Sequence, residues 1–388
     1  PVNEPLVTRM REFGTTVFAE MTRLAVETGS INLGQGFPDT DGPERMLERA
    51  VEAVRGGWNQ YPPGPGLPEL RRAVAEHRAR WYGLEYDPET EVLVTVGATE
   101  AITAAILALC EPGDEVIVFE PYYDSYAAAI ALAGAVRRPV TLRPDAGRFT
   151  FDPDELAAAA GPRTRAILVN SPHNPTGTVF TREELETIAR ICRDRDLIAI
   201  TDEVYEHLTF DGVEHVPLAT LPGMRERTVM ISSAGKTFSV TGWKTGWVCA
   251  PAPLVGAVQT VKQFLTFTAS APWQLAVAYA LREEMDWVAA QRAALEAKRD
   301  RLMAGLKSVG FEVFTPAGTY FIQTDIRPLG FADGHELALR LPELAGVVAI
   351  PTQVFYDDPS RGRHYLRFAF CKKDEVIDEA VRRLQRLA

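Results

Sequence analysis

TRAILVNSPHNPTGTVFTREELETIARICRDRDLIAITDE, residues 164–203, contains in order a strand, a turn, a helix and a second strand. The runs at 164–170 and 197–203 are apolar and β-branched without alternation, the pattern of strands buried on both faces of a parallel sheet. Between them Pro172, Pro175 and Gly177 make a rigid turn. Thr181, followed by Glu183 and Glu184, reads as the capped first turn of a helix over Arg182–Arg195. Strand, helix and parallel strand in succession make the repeating unit of an α/β domain.

The same pattern extends outward on both sides. EVLVTV (91–96), DEVIVFE (114–120) and TVMISS (228–233) read as further buried strands, with a helix over Glu100–Cys110. After Pro272 the texture changes to a long helical pattern, about Trp273 to Ser308, rich in Ala, Leu, Glu and Arg. Short strands follow at 311–314, 319–324 and 364–370, then a terminal helix over 373–387, which together suggest a smaller α+β unit. The segment through Asn32 is amphipathic and helical and is expected to join that smaller unit.

The chain has 388 residues, 46% of them hydrophobic, which at about 150 residues per domain gives two to three folded units and excludes disorder as the main state. Forty-one Lys and Arg against 52 Asp and Glu leave a formal charge of -11, which repels phosphate backbones and anionic membranes, so no nucleic-acid partner is expected. No stretch approaches the ~20 uncharged apolar residues of a membrane helix. Pro1 to Arg23 mixes charges of both signs instead of running from basic to apolar. The reading is a soluble, cytoplasmic protein without a membrane partner. Cys110, Cys192, Cys249 and Cys371 are far apart, and of the six histidines only His173 and His207 fall near a suspicious motif, so reduced thiols and no metal site are expected.

Ser232-Ser-Ala-Gly-Lys236-Thr-Phe-Ser-Val-Thr-Gly242-Trp-Lys244-Thr-Gly-Trp247 is the stretch richest in chemistry. Gly235-Lys236-Thr237 mimics the end of a nucleotide-binding P-loop, but that motif needs Gly where Met230 stands. The alternative for Lys236 is an imine-forming lysine, whose amine must be partly desolvated to act as a nucleophile; a solvated surface lysine is the bland reading. Asp202, in Thr201-Asp202-Glu203-Val204-Tyr205, ends a buried strand, where a carboxylate can pair with the ring nitrogen of pyridoxal phosphate and keep it protonated. A helix N-cap is the simpler role. Tyr205 and Asn174 offer donors to that ring's phenolic oxygen, although 170–177 also serves as a structural turn. Gly97, Ala98 and Thr99 lie between a strand and a helix, where free N–H groups hold a phosphate. Tyr122 or Tyr123 can stack on a flat ring or simply pack in the core. Five strand ends each present a group that one cofactor requires, and ligands of open α/β sheets bind at that edge.

With these motifs assembled, and with Asn32-Leu-Gly-Gln-Gly36-Phe-Pro-Asp and Arg367-Phe-Ala-Phe near the two ends, the chain resembles the class I/II aminotransferases of pyridoxal-phosphate fold type I. Within them it looks like the kynurenine/glutamine/methionine branch, and most like the actinobacterial N-succinyldiaminopimelate aminotransferases. The resemblance implies a mostly parallel seven-stranded sheet sandwiched by helices, with a smaller α+β domain built from both chain termini. It implies an N-terminal segment 1–38 joined to the small domain, a large cofactor domain over 39–278 and the small C-terminal domain over 279–388. By the same resemblance Lys236 forms the imine with pyridoxal 5'-phosphate and moves the proton. Asp202 pairs with the ring nitrogen, Tyr205 and Asn174 address the phenolic oxygen, and Tyr123 stacks. Gly97, Ala98, Thr99, Ser233 and Lys244 form the phosphate cup, with Tyr61 supplied by the second subunit of an obligate homodimer. Arg367 grips the substrate α-carboxylate, with Gly36 beside it and Phe18 lining the pocket; Phe13, Phe267 and Thr268 are further candidates for the pocket wall. Lys244 stands where many relatives carry Arg, and Phe18 where this branch often carries Trp, which weakens the case for an aromatic substrate.

The implied activity is ping-pong transfer of an amino group between an L-amino acid, with glutamate as donor, and a 2-oxo acid or N-succinyl-2-amino-6-oxopimelate in lysine and diaminopimelate synthesis. The alternatives are a broad methionine, glutamine or kynurenine aminotransferase and a cysteine-conjugate β-lyase. A regulator built on this fold would carry an added DNA-binding domain, which the negative charge disfavours.

Overall fold

Seven strands form the central sheet of the computed structural model, which describes residues 4–388. Their order across the sheet is Val92–Val96, Thr245–Cys249, Thr228–Ser233, Ile198–Asp202, Thr164–Asn170, Glu115–Glu120 and Val136–Thr141. Six run parallel, and Thr245–Cys249 runs against both of its neighbours. The six parallel strands therefore end on one edge of the sheet, at Val96, Glu120, Thr141, Asn170, Asp202 and Ser233. The reversed strand begins at that edge, with Thr245 paired to Val96 and Gly246 to Ser233.

Two of these strands have no counterpart among the five read from the sequence. Val136–Thr141 is an edge strand whose first four residues are not buried, and Arg137, Arg138 and Pro139 break its apolar run. Such residues protect an exposed edge from further pairing. Thr245–Cys249 is buried at all five positions, yet its glycine masks the β pattern. Gly246 is required there, because a Cβ would lie 2.7 Å from the carbonyl carbon of Gly97.

Helices cover both faces. Gly97–Leu109, Asp124–Leu132 and Ala252–Lys262 pack on one through Ile102, Ile106, Ile130 and Val258. On the other, Glu44–Arg55, Pro68–Tyr82 and Ala271–Glu283 bury Met46, Leu70 and Val277, and Arg182–Arg195 buries Leu185 and Ile188. The expected cap at Thr181 is present as a reciprocal box: its hydroxyl accepts from Glu184 N at 3.1 Å and its own N–H donates to Glu184 Oε1 at 2.8 Å.

The rest of the chain builds a four-stranded antiparallel sheet from Glu312–Phe314, Phe321–Asp325, Tyr365–Ala369 and Ile350–Pro351. The N-terminal helix Val17–Thr28 buries Met21 and Ala25 in the same core as Leu306, Ile322 and Phe368, and Ile31–Asn32 pairs with Val347–Val348. One reading needs correction. The helical pattern from Trp273 to Ser308 is two helices, Ala271–Glu283 and Met285–Val309, because the backbone at Glu284 leaves the helical region with φ -116° and ψ 18°. Periodicity registers apolar spacing and is blind to a break of one residue. All four cysteines are buried and unpaired.

Candidate active site

The parallel strand ends and the start of the reversed strand surround a cavity of 330 Å³, closed on its far side by the four-stranded sheet and the N-terminal segment. Lys236 reaches it from the short helix Ala234–Thr237, directly after the strand Thr228–Ser233. Burial pushes its amine down to about 8, because the charged form is poorly solvated. Its Nζ donates to Gly36 O at 3.4 Å and lies 5.8 Å from the ring centroids of both Tyr205 and Tyr320.

Asp202 occupies the last position of its strand and is buried. Burial raises its carboxyl above the usual range, opposed by the hydroxyl of Tyr126, which donates to Oδ2, and by Val204 N at 3.3 Å from Oδ1. The bland reading as a helix cap does not apply, since no helix begins there. Asn170 organises the neighbouring strand end. Its Nδ2 donates to Asp202 O at 3.0 Å and its Oδ1 accepts from Asn174 N at 2.9 Å, which holds Asn174 at the cavity wall. Tyr205 is buried beside them, its hydroxyl raised by desolvation.

Gly97, Ala98 and Thr99 open the helix Gly97–Leu109, whose first N–H groups have no partner within the helix. Gly97 sits at φ 76°, and a Cβ there would come within 2.9 Å of Lys244 Cε, so the lysine side chain lies directly against this turn. Ser233 completes the same wall. The N-terminus of a 13-residue helix and one lysine thus converge where an anion would be stabilised.

Arg367, in the strand Tyr365–Ala369, is 1% exposed. Its Nη1 donates to Asn174 Oδ1 at 2.9 Å and its Nη2 to Gly34 O at 2.5 Å, while Nε has no partner. Among the described residues no carboxylate pairs with it. Burial lowers it to about 10, and its guanidinium lies 3.8 Å from the Phe321 ring centroid and 5.3 Å from that of Phe18. A buried cation without a counter-charge is costly unless an anionic ligand supplies one. Phe18 and Tyr123 face each other at 6.1 Å on the cavity wall, and Gly36 lines it as well.

Of the residues singled out from the sequence, Tyr61, Phe13, Phe267 and Thr268 do not line this cavity. Tyr61 is 84% exposed with its edge toward Phe267 at 5.3 Å, Thr268 donates to Pro63 O at 3.0 Å, and Phe13 packs with the helix cluster on one sheet face. Others went unnoticed. Tyr126 lies in the first turn of the helix Asp124–Leu132, which Tyr123 precedes, and its contact with Asp202 has no local signal. Gln35, Phe37 and Phe321 also line the cavity; the first two flank Gly36 in a motif already singled out, and nothing local marks Phe321.

Behind the Asp202–Tyr205 turn lies a polar cluster of which only His207, close to that motif, stood out in the sequence. His77 Nε2 and His207 Nε2 are 2.7 Å apart, and both approach Glu206. These three lie close enough to share a metal ion, but Glu206 is already engaged by Arg78 at 2.9 and 3.0 Å, by Tyr82 at 2.8 Å and by Ser232, and the guanidinium opposes a second cation. The cluster anchors the helix Pro68–Tyr82 to the turn that carries Asp202 and Tyr205.

Comparison with known proteins gives a consistent picture. The model of the family described as aminotransferase class I and II matches residues 28–384. The chain is 55% identical over 391 residues to a probable N-succinyldiaminopimelate aminotransferase of Mycobacterium tuberculosis, covering 98% of both chains. It is 41% identical over 387 residues to a methionine aminotransferase of Escherichia coli, covering 99% of this chain and 100% of that one. The solved structure of the N-succinyldiaminopimelate aminotransferase from Mycobacterium tuberculosis superimposes with a TM-score of 0.97 at 56% identity, over 99% of this chain and 100% of that chain.

Proposed function

Because the chain belongs to the class I and II aminotransferases, we propose that its cavity takes an amino acid by the α-carboxylate at Arg367 and moves that substrate's α-proton with Lys236. It is a pyridoxal-phosphate-dependent aminotransferase. The observation that carries the reading is Arg367 itself: a buried guanidinium with carbonyl partners and no carboxylate, in one cavity with a lysine amine lowered to about 8.

The donor set fits the cofactor. Asp202 would hold the ring nitrogen, Tyr205 and Asn174 the phenolic oxygen, Tyr123 the ring face, and Gly97, Ala98, Thr99, Ser233 and Lys244 the phosphate. When bound, pyridoxal phosphate supplies an aldehyde that accepts the amino group and a ring that takes up the electron pair left by the departing α-proton. Arg367 fixes the carboxylate as a planar fork, so that the α-hydrogen is presented in one orientation. Lys236 is neutral above about pH 8, takes the proton from the substrate's α-carbon and then serves as the general acid that returns it. Phe18 and Phe321 exclude water from the guanidinium, which strengthens its hold on the carboxylate. Donor and acceptor use the same cavity in turn, so the kinetics are ping-pong.

For the physiological step we propose exchange between glutamate and N-succinyl-2-amino-6-oxopimelate, supported by similarity along nearly the whole chain. The apolar walls Phe37 and Phe321 favour a second reading, a broad methionine, glutamine or kynurenine aminotransferase, in which Phe18 weighs against the aromatic member. The assembly we propose is a homodimer in the cytoplasm, with Tyr61 crossing to its partner's cavity; its exposure on the single chain supports this. The proposed units are 1–38 with 279–388, and 39–278. No helix among the described residues is long and apolar enough to cross a membrane.

The test is the absorbance of the purified protein with pyridoxal phosphate, followed by single-turnover titration with glutamate, methionine, kynurenine and N-succinyldiaminopimelate. The fastest conversion ranks the donors, and fastest conversion by methionine or kynurenine would select the second reading. Pyruvate and thiol release from a cysteine conjugate without a 2-oxo acid would instead indicate β-lyase chemistry. Absence of any cofactor band would refute the whole assignment.

A further inference from the structure

The carbonyl oxygen of Gly36 accepts two hydrogen bonds, one from the Tyr320 hydroxyl at 2.6 Å and one from Lys236 Nζ at 3.4 Å. Three separate parts of the chain meet there: the loop after Asn32, the helix Ala234–Thr237, and the residue just before the strand Phe321–Asp325. Tyr320 is 1% exposed and is not part of the cavity lining. Its own place is firmly set. The Tyr320 carbonyl accepts from Phe370 N at 2.9 Å, and its ring stands edge-on to those of Tyr205 at 5.4 Å and Phe321 at 5.1 Å. The Lys236 amine lies 5.8 Å from the Tyr320 and Tyr205 ring centroids alike, within the ~6 Å over which an aromatic ring attracts a cation.

A lysine that carries a proton has four flexible carbons between its backbone and its amine, so its reach is long and its aim is poor unless something receives it. Gly36 O is the receiver that the structure provides, and Gly36 belongs to a loop. The Tyr320 hydroxyl ties that carbonyl to the rigid four-stranded sheet.

We propose that Tyr320 is a positioning residue for Lys236: its hydroxyl fixes the Gly36 carbonyl that receives the free amine, and its ring lies beside that of Tyr205 within reach of the amine. The inference rests on the reading of Lys236 as the proton carrier. Because Tyr320 acts through Gly36 and Lys236, its first effect is on proton transfer; its hydroxyl bonds to Gly36 and to neither Arg367 nor the phosphate cup.

The experiment compares Tyr320→Phe, which keeps the ring and removes the donor, with Tyr320→Leu, which removes both. For each variant one measures kcat, KM for the donor, the kinetic isotope effect with an α-deuterated donor, equilibrium affinity for pyridoxal phosphate by absorbance, and the rate at which the cofactor-free protein captures it. For Tyr320→Phe, kcat falls roughly ten- to a hundredfold, the scale of a misplaced catalytic group. The isotope effect rises and capture slows, while cofactor affinity holds and KM changes less than kcat. Tyr320→Leu loses more. Unchanged kcat and isotope effect would overturn the proposal, and so would a cofactor affinity that falls in step with kcat, since a structural role predicts that. Lys236→Ala separates the two levels: if it is inactive while Tyr320→Phe behaves as wild type, this inference alone fails; if Lys236→Ala turns over normally, the functional reading fails with it.

Discussion

Lys236 owes its chemistry to where its amine sits. Burial lowers it to about 8 from an ordinary value near 10.5, so at neutral pH a usable fraction is uncharged. Capture of pyridoxal phosphate by the cofactor-free protein should therefore accelerate with pH up to about 8 and level off above it. Stopped-flow absorbance measures this, and a rise continuing past pH 10 would mean a solvated amine. Arg367 makes the opposite case, a cation kept charged against desolvation and given only carbonyl partners. Replacing it by lysine keeps the charge and loses the fork, so Arg367→Lys should raise KM for amino acids roughly tenfold or more, about 1.4 kcal/mol, with the cofactor spectrum intact. Loss of the spectrum would place Arg367 on the cofactor instead. Both residues were legible in the sequence through their motifs. Tyr126 was not, because its role depends on a helix folding back over Asp202, and nothing within a few positions of it specifies that contact.

At the level of elements, the reversed strand Thr245–Cys249 matters most. It starts at the edge where the parallel strands end, and so brings Lys244 to the turn at Gly97. Gly246→Ala would drive a methyl into the Gly97 backbone, so cofactor affinity should fall by at least about tenfold, a cost of the size seen for overpacked sites. An unchanged dissociation constant by absorbance titration would contradict that. The helix Pro68–Tyr82 supplies a second device. Burial holds His77 well below its ordinary value and His207 at about 4, so both are neutral in the folded protein, whereas the unfolded chain protonates them near 6.5. Glu206 shifts in the same direction: burial favours its neutral form, but the attraction of Arg78 prevails and holds it well below the carboxylate range. Each depressed group lets the unfolded chain bind more protons in acid. Stability should thus be complete above about pH 6.5 and fall as pH drops from there toward 4. Urea melts from pH 7.5 to 5 measure it; His77→Gln should flatten the slope, and an equally steep profile in that variant would remove His77 from the account.

On the scale of the whole molecule, the single chain leaves Tyr61 and Phe264 exposed at 84% and 82%, with Leu265 and Phe267 beside them about half exposed. Aromatic and aliphatic groups gathered in this way mark an association surface. Sedimentation velocity should give twice the mass of one chain. Tyr61→Ala should weaken cofactor affinity if that ring reaches the partner's phosphate site, while unchanged affinity would confine its role to the interface. Local sequence was enough for the α/β class, for the strand end at Asp202 and the turns after strands that hold Asn174 and Lys236, and for the family, because buried parallel strands and their capped helices are written in local apolar runs and turn residues. The edge strand Val136–Thr141, the break at Glu284, the histidine pair and the Tyr320–Gly36–Lys236 chain were decided by tertiary structure alone. Their contacts join residues as far as 284 positions apart, and the free energy of such a contact resides in a packing arrangement that no local pattern records.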